Sequence, residues 1–194
     1  MINYQDKEKL KRIQDSKIPF FFTNFVTTID QLHGLIEYNP TDMYICESLG
    51  FFLDKVSKIL HDKNIKVRVF PNICQSSFYE TPSIKTFFIR PEDIPIYSNF
   101  VDVFEIISDK ERQSVLFKIY KQEKWFGRLK EIIPSFKGEL DNRYILKSFG
   151  LIRSKCGKRC MYQPGSCAIC DRFIETADTL KESKLFIKRA KKKD

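Results

Sequence analysis

Between residues 19 and 124 the chain alternates short apolar runs with amphipathic ones. This alternation restricts the fold more than any other feature. Pro19-Phe20-Phe21-Phe22-Thr23 suits a buried strand. Ile29, Leu32 and Ile36 follow at helical spacing, behind Thr27-x-x-Asp30, which resembles a capping box. Asp42 to Glu47 reads as a second strand. Leu53, Val56 and Leu60 predict a helix that ends near Lys63-Asn64. Ile65, Val67 and Val69 alternate with Lys66, Arg68 and Phe70, a third strand that stops at Pro71-Asn72. Lys85 to Arg90 reads as a fourth strand. Pro91-Glu92-Asp93 then starts a helix that Pro95 keeps short. Val101 to Ile107 reads as a fifth strand. Ser108-x-x-Glu111 caps a helix whose apolar face would carry Val115, Leu116 and Ile119.

Strand–helix alternation of this kind favours parallel strands joined by crossovers, so the expected class is α/β. A complete (β/α) barrel takes about 250 residues, and this chain has 194. The expectation is therefore a partial (β/α)-barrel-like or open parallel sheet, whose uncovered edge invites self-association or assembly. After Trp125 the alternation ends. Pro134, Gly138, Gly150, Gly157 and Gly165 punctuate a loop-rich stretch, and a helix resumes near Asp171. This divides the chain into a charged N-terminal arm or helix (1–17), an α/β domain (18–142), a cysteine module (143–172) and a basic helix or tail (173–194).

Charge supports that division. Residues 1–142 hold 20 basic and 20 acidic side chains, whereas residues 143–194 hold 14 and 5. The whole net charge of +9 thus belongs to the last quarter, which excludes a uniformly basic, histone-like chain. With 42% hydrophobic residues and 18 Phe the chain is not simply disordered. The first 17 residues are polar, and Ile18 to Val26 is shorter than the ~20 apolar residues of a bilayer-spanning helix. The expectation is a soluble, cytoplasmic protein with no membrane partner.

Four of the six cysteines crowd into 15 residues, as Cys156-x3-Cys160-x6-Cys167-x2-Cys170. Pro164-Gly165 supplies a turn that brings the two pairs together. Four thiolates suit tetrahedral zinc, and an iron–sulfur cluster uses the same ligands. The expected cofactor is Zn2+, with a 4Fe-4S cluster as the alternative. Free structural cysteines are the plain reading for Cys46 and Cys74, which lie alone in apolar contexts, but not for four in a polar loop.

Lys155, Lys158, Arg159 and Arg172 surround these cysteines, and Lys188-Arg189-x-Lys191-Lys192-Lys193 follows. Such a patch fits phosphate backbones, with an acidic protein partner as the competing reading. Phe149, Tyr162 and Phe173 could stack on bases. A plain solubilising terminus is the bland alternative.

Functional groups in parallel α/β folds gather where strands end. That rule makes Glu47, Asn72, Arg90 and Glu105 the catalytic candidates, with Gln75 beside Asn72. Against it, Arg90 could simply pair with a helix carboxylate, and Asn72 could be an ordinary turn residue. The run from Ile18 to Asn72, with Glu47 and Asn72 following strands, resembles the start of the U32 peptidase-like family. The resemblance implies a (β/α) barrel. It also implies, as an alternative function, an enzyme with an iron–sulfur cluster acting on RNA or a small substrate. That family spreads its cysteines along the chain, whereas here they are clustered. The leading expectation is a binding protein, stabilised by a four-cysteine metal site, that contacts nucleic acid or a nucleoprotein assembly. A structural assembly role is the third.

Overall fold

A computed structural model describes residues 7–17, 19–26, 28–50, 52–72, 87–122, 124–133, 136, 139–154 and 169–190. Four parallel strands form one sheet in the order β1-β2-β3-β4, where β1 is Phe21–Val26, β2 Asp42–Ile45, β3 Lys66–Val69 and β4 Val103–Phe104. Spatial order follows chain order. Phe22 pairs with Met43 and Met43 with Val67, while Tyr44 pairs with Arg68 and Arg68 with Val103.

Because side chains alternate along a strand, this register sorts the sheet into two unlike faces. One carries Phe22, Met43, Ile45, Val67 and Val69, all buried. Against them pack Leu10 of α1 (Lys7–Asp15), Leu32 and Leu35 of α2 (Ile29–Ile36), and Leu49 of α3 (Glu47–Gly50). Leu53, Val56 and Leu60 of α4 (Leu53–His61) complete the layer. Their i, i+3, i+7 spacing puts one stripe of α4 on the sheet. Burying a Leu or Val side chain contributes about 1.5–3 kcal/mol, so this layer dominates the stability of the α/β half.

A second core lies outside the sheet. It collects Phe88, Leu116 of α6 (Lys110–Tyr120), Trp125, and Leu129 and Ile132 of α7 (Leu129–Ile132). Phe149 of α8 (Phe149–Arg153) and Cys170 and Phe173 of α9 (Ile169–Ala190) close it. The core therefore joins residues on both sides of position 142.

The segment expected as a fourth strand is the seam between the cores. Phe87 to Arg90 is irregular, not a strand, and Lys85 and Thr86 lie outside the described residues. Phe87 and Ile89 belong to the first core, and Phe88 belongs to the second. Ile89 N–H donates to the Pro71 carbonyl at 3.0 Å. Pro91, with no N–H to give, starts a 3-10 turn (Pro91–Asp93) that runs into α5 (Ile94–Tyr97).

Smaller expectations also shift. Asp42 to Ile45 is strand, but Glu47 opens α3 instead of ending β2. The cap of α2 is Thr28, whose hydroxyl accepts from Gln31 N–H at 3.2 Å, giving Thr28-x-x-Gln31 in place of Thr27-x-x-Asp30. The cap of α6 is Asp109, not Ser108. Its carboxylate accepts from Arg112 N–H at 2.8 Å and adds a favourable charge at the helix N-terminus. On α6 only Leu116 is fully buried, and Val115 points outward.

Candidate functional site

The face of the sheet opposite the first core holds a layer of polar and aromatic side chains, with Asp42 and Tyr44 buried in it and Phe21 and Glu105 exposed at its surface. Phe21, Asp42, Tyr44, Lys66 and Arg68 share it by register. Arg68 Nε donates to Asp42 Oδ1 at 3.0 Å, and Thr41 Oγ1 donates to Asp42 Oδ2 at 2.8 Å. The Arg68 guanidinium lies 5.6 Å from the Phe21 ring centre and 5.7 Å from that of Tyr44. Phe70 stacks on Tyr44 with ring centres 4.9 Å apart. The Tyr44 hydroxyl donates to Glu105, whose carboxylate also lies 3.7 Å from Arg68 Nη1.

This layer tunes its own groups. Burial pushes the Tyr44 phenol above its ordinary pKa, and the Glu105 carboxylate it bonds to pushes the same way. Burial opposes the charge on Arg68 most strongly, but the bond to and charge of Asp42, together with Tyr44, outweigh it and hold the guanidinium above its usual value. Tyr44 is thus a neutral donor and Arg68 a permanent cation. The Glu105 side chain, 44% exposed, is their outward carboxylate.

The strand-end candidates fare differently. Glu105 joins this layer. Asn72 is buried and clamps the backbone of Ile107, donating to its carbonyl at 2.6 Å and accepting from its N–H at 3.1 Å. Its side chain is spent on holding the exit of β4. Of Glu47 only the backbone is described, and Gln75 lies outside the described residues.

Arg90 is 1% exposed and forms the seam between the cores. It donates to Asp93 through two nitrogens, at 2.6 and 2.8 Å, and to Asn142 Oδ1 at 3.2 Å. Glu92 lies 3.2 Å away and accepts from Asn142 Nδ2 at 2.5 Å. The guanidinium also stacks over Phe149 at 5.0 Å. The four strand-end candidates therefore do not converge. Arg90 sits in a sealed knot with its helix carboxylate, and no substrate reaches it there.

The strand-end rule passes over Tyr44, Arg68 and Asp42. Their signal in the sequence is a different one: polar residues at alternate strand positions, Asp42-x-Tyr44 and Lys66-x-Arg68, are out of place in a sheet covered on both faces.

Cys170 is 4% exposed in the second core. Arg153 Nη1 lies 3.4 Å from its sulfur, and the residue stands in the first turn of α9. The guanidinium and the helix N-terminus are surroundings that suit an anionic sulfur, whereas burial in an apolar core opposes one. Cys156, Cys160 and Cys167 lie outside the described residues, as do Lys155, Lys158, Arg159, Lys191, Lys192 and Lys193. Among the described residues no group of three or more metal-ligating side chains occurs.

Helix α9 is half docked. Cys170, Phe173 and Ala177 are its buried stripe, while Arg172 faces solvent. Residues 178–181 are all exposed, and Lys188 and Arg189 fall within the last turn. Phe149 and Phe173, expected to stack on bases, are instead buried against each other with ring centres 5.0 Å apart. Tyr162 lies outside the described residues. No described helix is long and apolar enough to cross a membrane. Comparison with protein-family models, with curated proteins and with solved structures finds no match to this chain.

Proposed function

We propose that this protein binds nucleic acid through its C-terminal quarter, with a metal ion on Cys156, Cys160, Cys167 and Cys170 ordering that region. Zinc is the favoured metal. When bound it would crosslink four thiolates and offset half of their charge, in a stretch with too little apolar content to fold alone. Lys155, Lys158, Arg159, Arg172, Lys188, Arg189, Lys191, Lys192 and Lys193 then supply phosphate contacts.

The observation that carries this reading is the position of Cys170. It is anchored in the second core beside Arg153, and it heads the 22-residue helix that leads to Lys188 and Arg189. At 1.5 Å per residue that helix is about 33 Å long. One rod thus links the last cysteine of the cluster to the start of the cationic run.

The test is a salt titration of binding to a labelled oligonucleotide. Deleting residues 184–194 removes six cations, so the slope of log affinity against log salt should become shallower. An unchanged slope would refute the assignment of phosphate contacts to this end. In parallel, Cys160→Ser should lose bound metal and become protease-sensitive between residues 150 and 172, leaving the sheet intact. A brown protein absorbing near 400 nm would replace zinc by an iron–sulfur cluster.

A further inference from the structure

We infer that the open face of the sheet is a platform for an unpaired nucleobase. Its plane would rest on Phe21 and its edge would meet Arg68 and Glu105. The inference rests on the nucleic-acid reading above and adds a second, base-contacting surface to it.

Three observations point this way. First, Phe21 is an aromatic residue left 48% exposed on a strand, beside a cation and a second ring. Exposed aromatics on a sheet face are how single-stranded bases are commonly held, because every base offers a π-face.

Second, the pair beside Phe21 offers both kinds of hydrogen-bonding group. Arg68 spends Nε on Asp42 and is also hydrogen-bonded to Tyr44, while its Nη1 lies 3.7 Å from Glu105, beyond hydrogen-bond reach, so part of its five-donor guanidinium is left for a ligand. Glu105 accepts from Tyr44 through Oε2 while staying 44% exposed. A donor fork next to an acceptor complements the Watson–Crick edge of an unpaired base, on which donors and acceptors lie side by side. In a duplex that edge is already occupied.

Third, the charge is right for bases and wrong for backbone. Asp42 and Glu105 balance Lys66 and Arg68, so this face has no excess cation for phosphates. The excess lies in the C-terminal quarter. Base contacts and phosphate contacts would then sit on different parts of the molecule, as their different chemistries allow.

The experiment compares binding of a single-stranded oligonucleotide and the duplex of the same sequence by the full chain. Wild type should prefer the single strand by about tenfold or more. Phe21→Ala and Glu105→Gln should each weaken single-strand binding by about tenfold, a typical loss for one stacked base. Duplex binding and the salt slope should not change. Both side chains are well exposed, and a thermal melt confirms folding. Tyr44→Phe, which leaves Glu105 without its phenol partner, should lower the same preference by a smaller factor. Equal binding of both forms by wild type would overturn the inference, as would a preference that these variants leave intact; both results leave the C-terminal reading standing. Failure to bind either form would overturn both.

Discussion

The molecule contains the same chemical arrangement twice, once sealed and once open. In each, an arginine lies between two carboxylates and over an aromatic ring. Arg90 has Asp93, Glu92 and Phe149; Arg68 has Asp42, Glu105 and both Phe21 and Tyr44. The Arg90 side chain is 1% exposed and that of Arg68 is 26% exposed. Residue types alone therefore do not distinguish a structural knot from a surface available to a ligand. Solvent access does, because a sealed ion pair has no free group to offer, whereas an open one keeps donors and acceptors within reach of a partner.

The largest test of this contrast is Arg90→Ala. It strands two carboxylates between the cores, and breaking a buried pair on one side typically costs about 3–5 kcal/mol. Chemical denaturation should show a loss of that size; a loss under about 1 kcal/mol would mean that the knot is not the seam. Next is Gly150→Ala. A Cβ at this position would overlap the Asp93 carboxylate, so the same knot should be forced apart. Crowding of this kind costs about 1–3 kcal/mol. Arg68→Met should cost less, about 1–2 kcal/mol, because water replaces part of what Asp42 loses. If Arg68 proved as costly as Arg90, the open face would have to be counted as structural.

The smallest effect separates the two arrangements by pH. Tyr120 donates to the Ile89 carbonyl at 3.1 Å. Burial, then the nearby Glu92 and Asp93, push its phenol far above the ordinary range. Tyr44 is raised as well, by burial and by Glu105. A group whose folded pKa exceeds its unfolded one contributes stability in full below the unfolded value and loses it as pH rises from there through the folded one. Stability should therefore fall above about pH 10, the ordinary tyrosine pKa. Tyr120→Phe should flatten that decline more than Tyr44→Phe, as followed by thermal melting between about pH 9 and 11. The reverse order would contradict the larger upward push on Tyr120, which lies near two carboxylates, Glu92 and Asp93, where Tyr44 has Glu105 offset by Arg68.

Much of the fold is written in local periodicity. The spacing of Leu53, Val56 and Leu60 locates α4, and the alternation of Val67 and Val69 with Lys66 and Arg68 locates β3. The long helix expected from near Asp171 is α9, and the strand–helix order gives a parallel sheet. What was not legible depends on tertiary contacts. Phe87 to Ile89 looks like a strand because it is apolar, yet its side chains serve two different cores. Asp109 displaces Ser108 as a cap by a one-residue difference in where the chain turns. Phe149 and Phe173 read as exposed stacking residues in a basic stretch, and only the second core shows them packed on each other. For the candidate site, Glu105 was visible from its strand, whereas Tyr44 and Arg68 become a site only when register puts them beside it.

Elemental analysis of protein purified without air is the sharpest test of the proposed metal on Cys156, Cys160, Cys167 and Cys170. About one zinc ion per chain is expected, the stoichiometry of a four-thiolate site. Cys170→Ser should lose that zinc even though its side chain is small enough to leave the second core packed. A wild-type chain that carries no stoichiometric metal, or a Cys170→Ser chain that retains it, would contradict the claim.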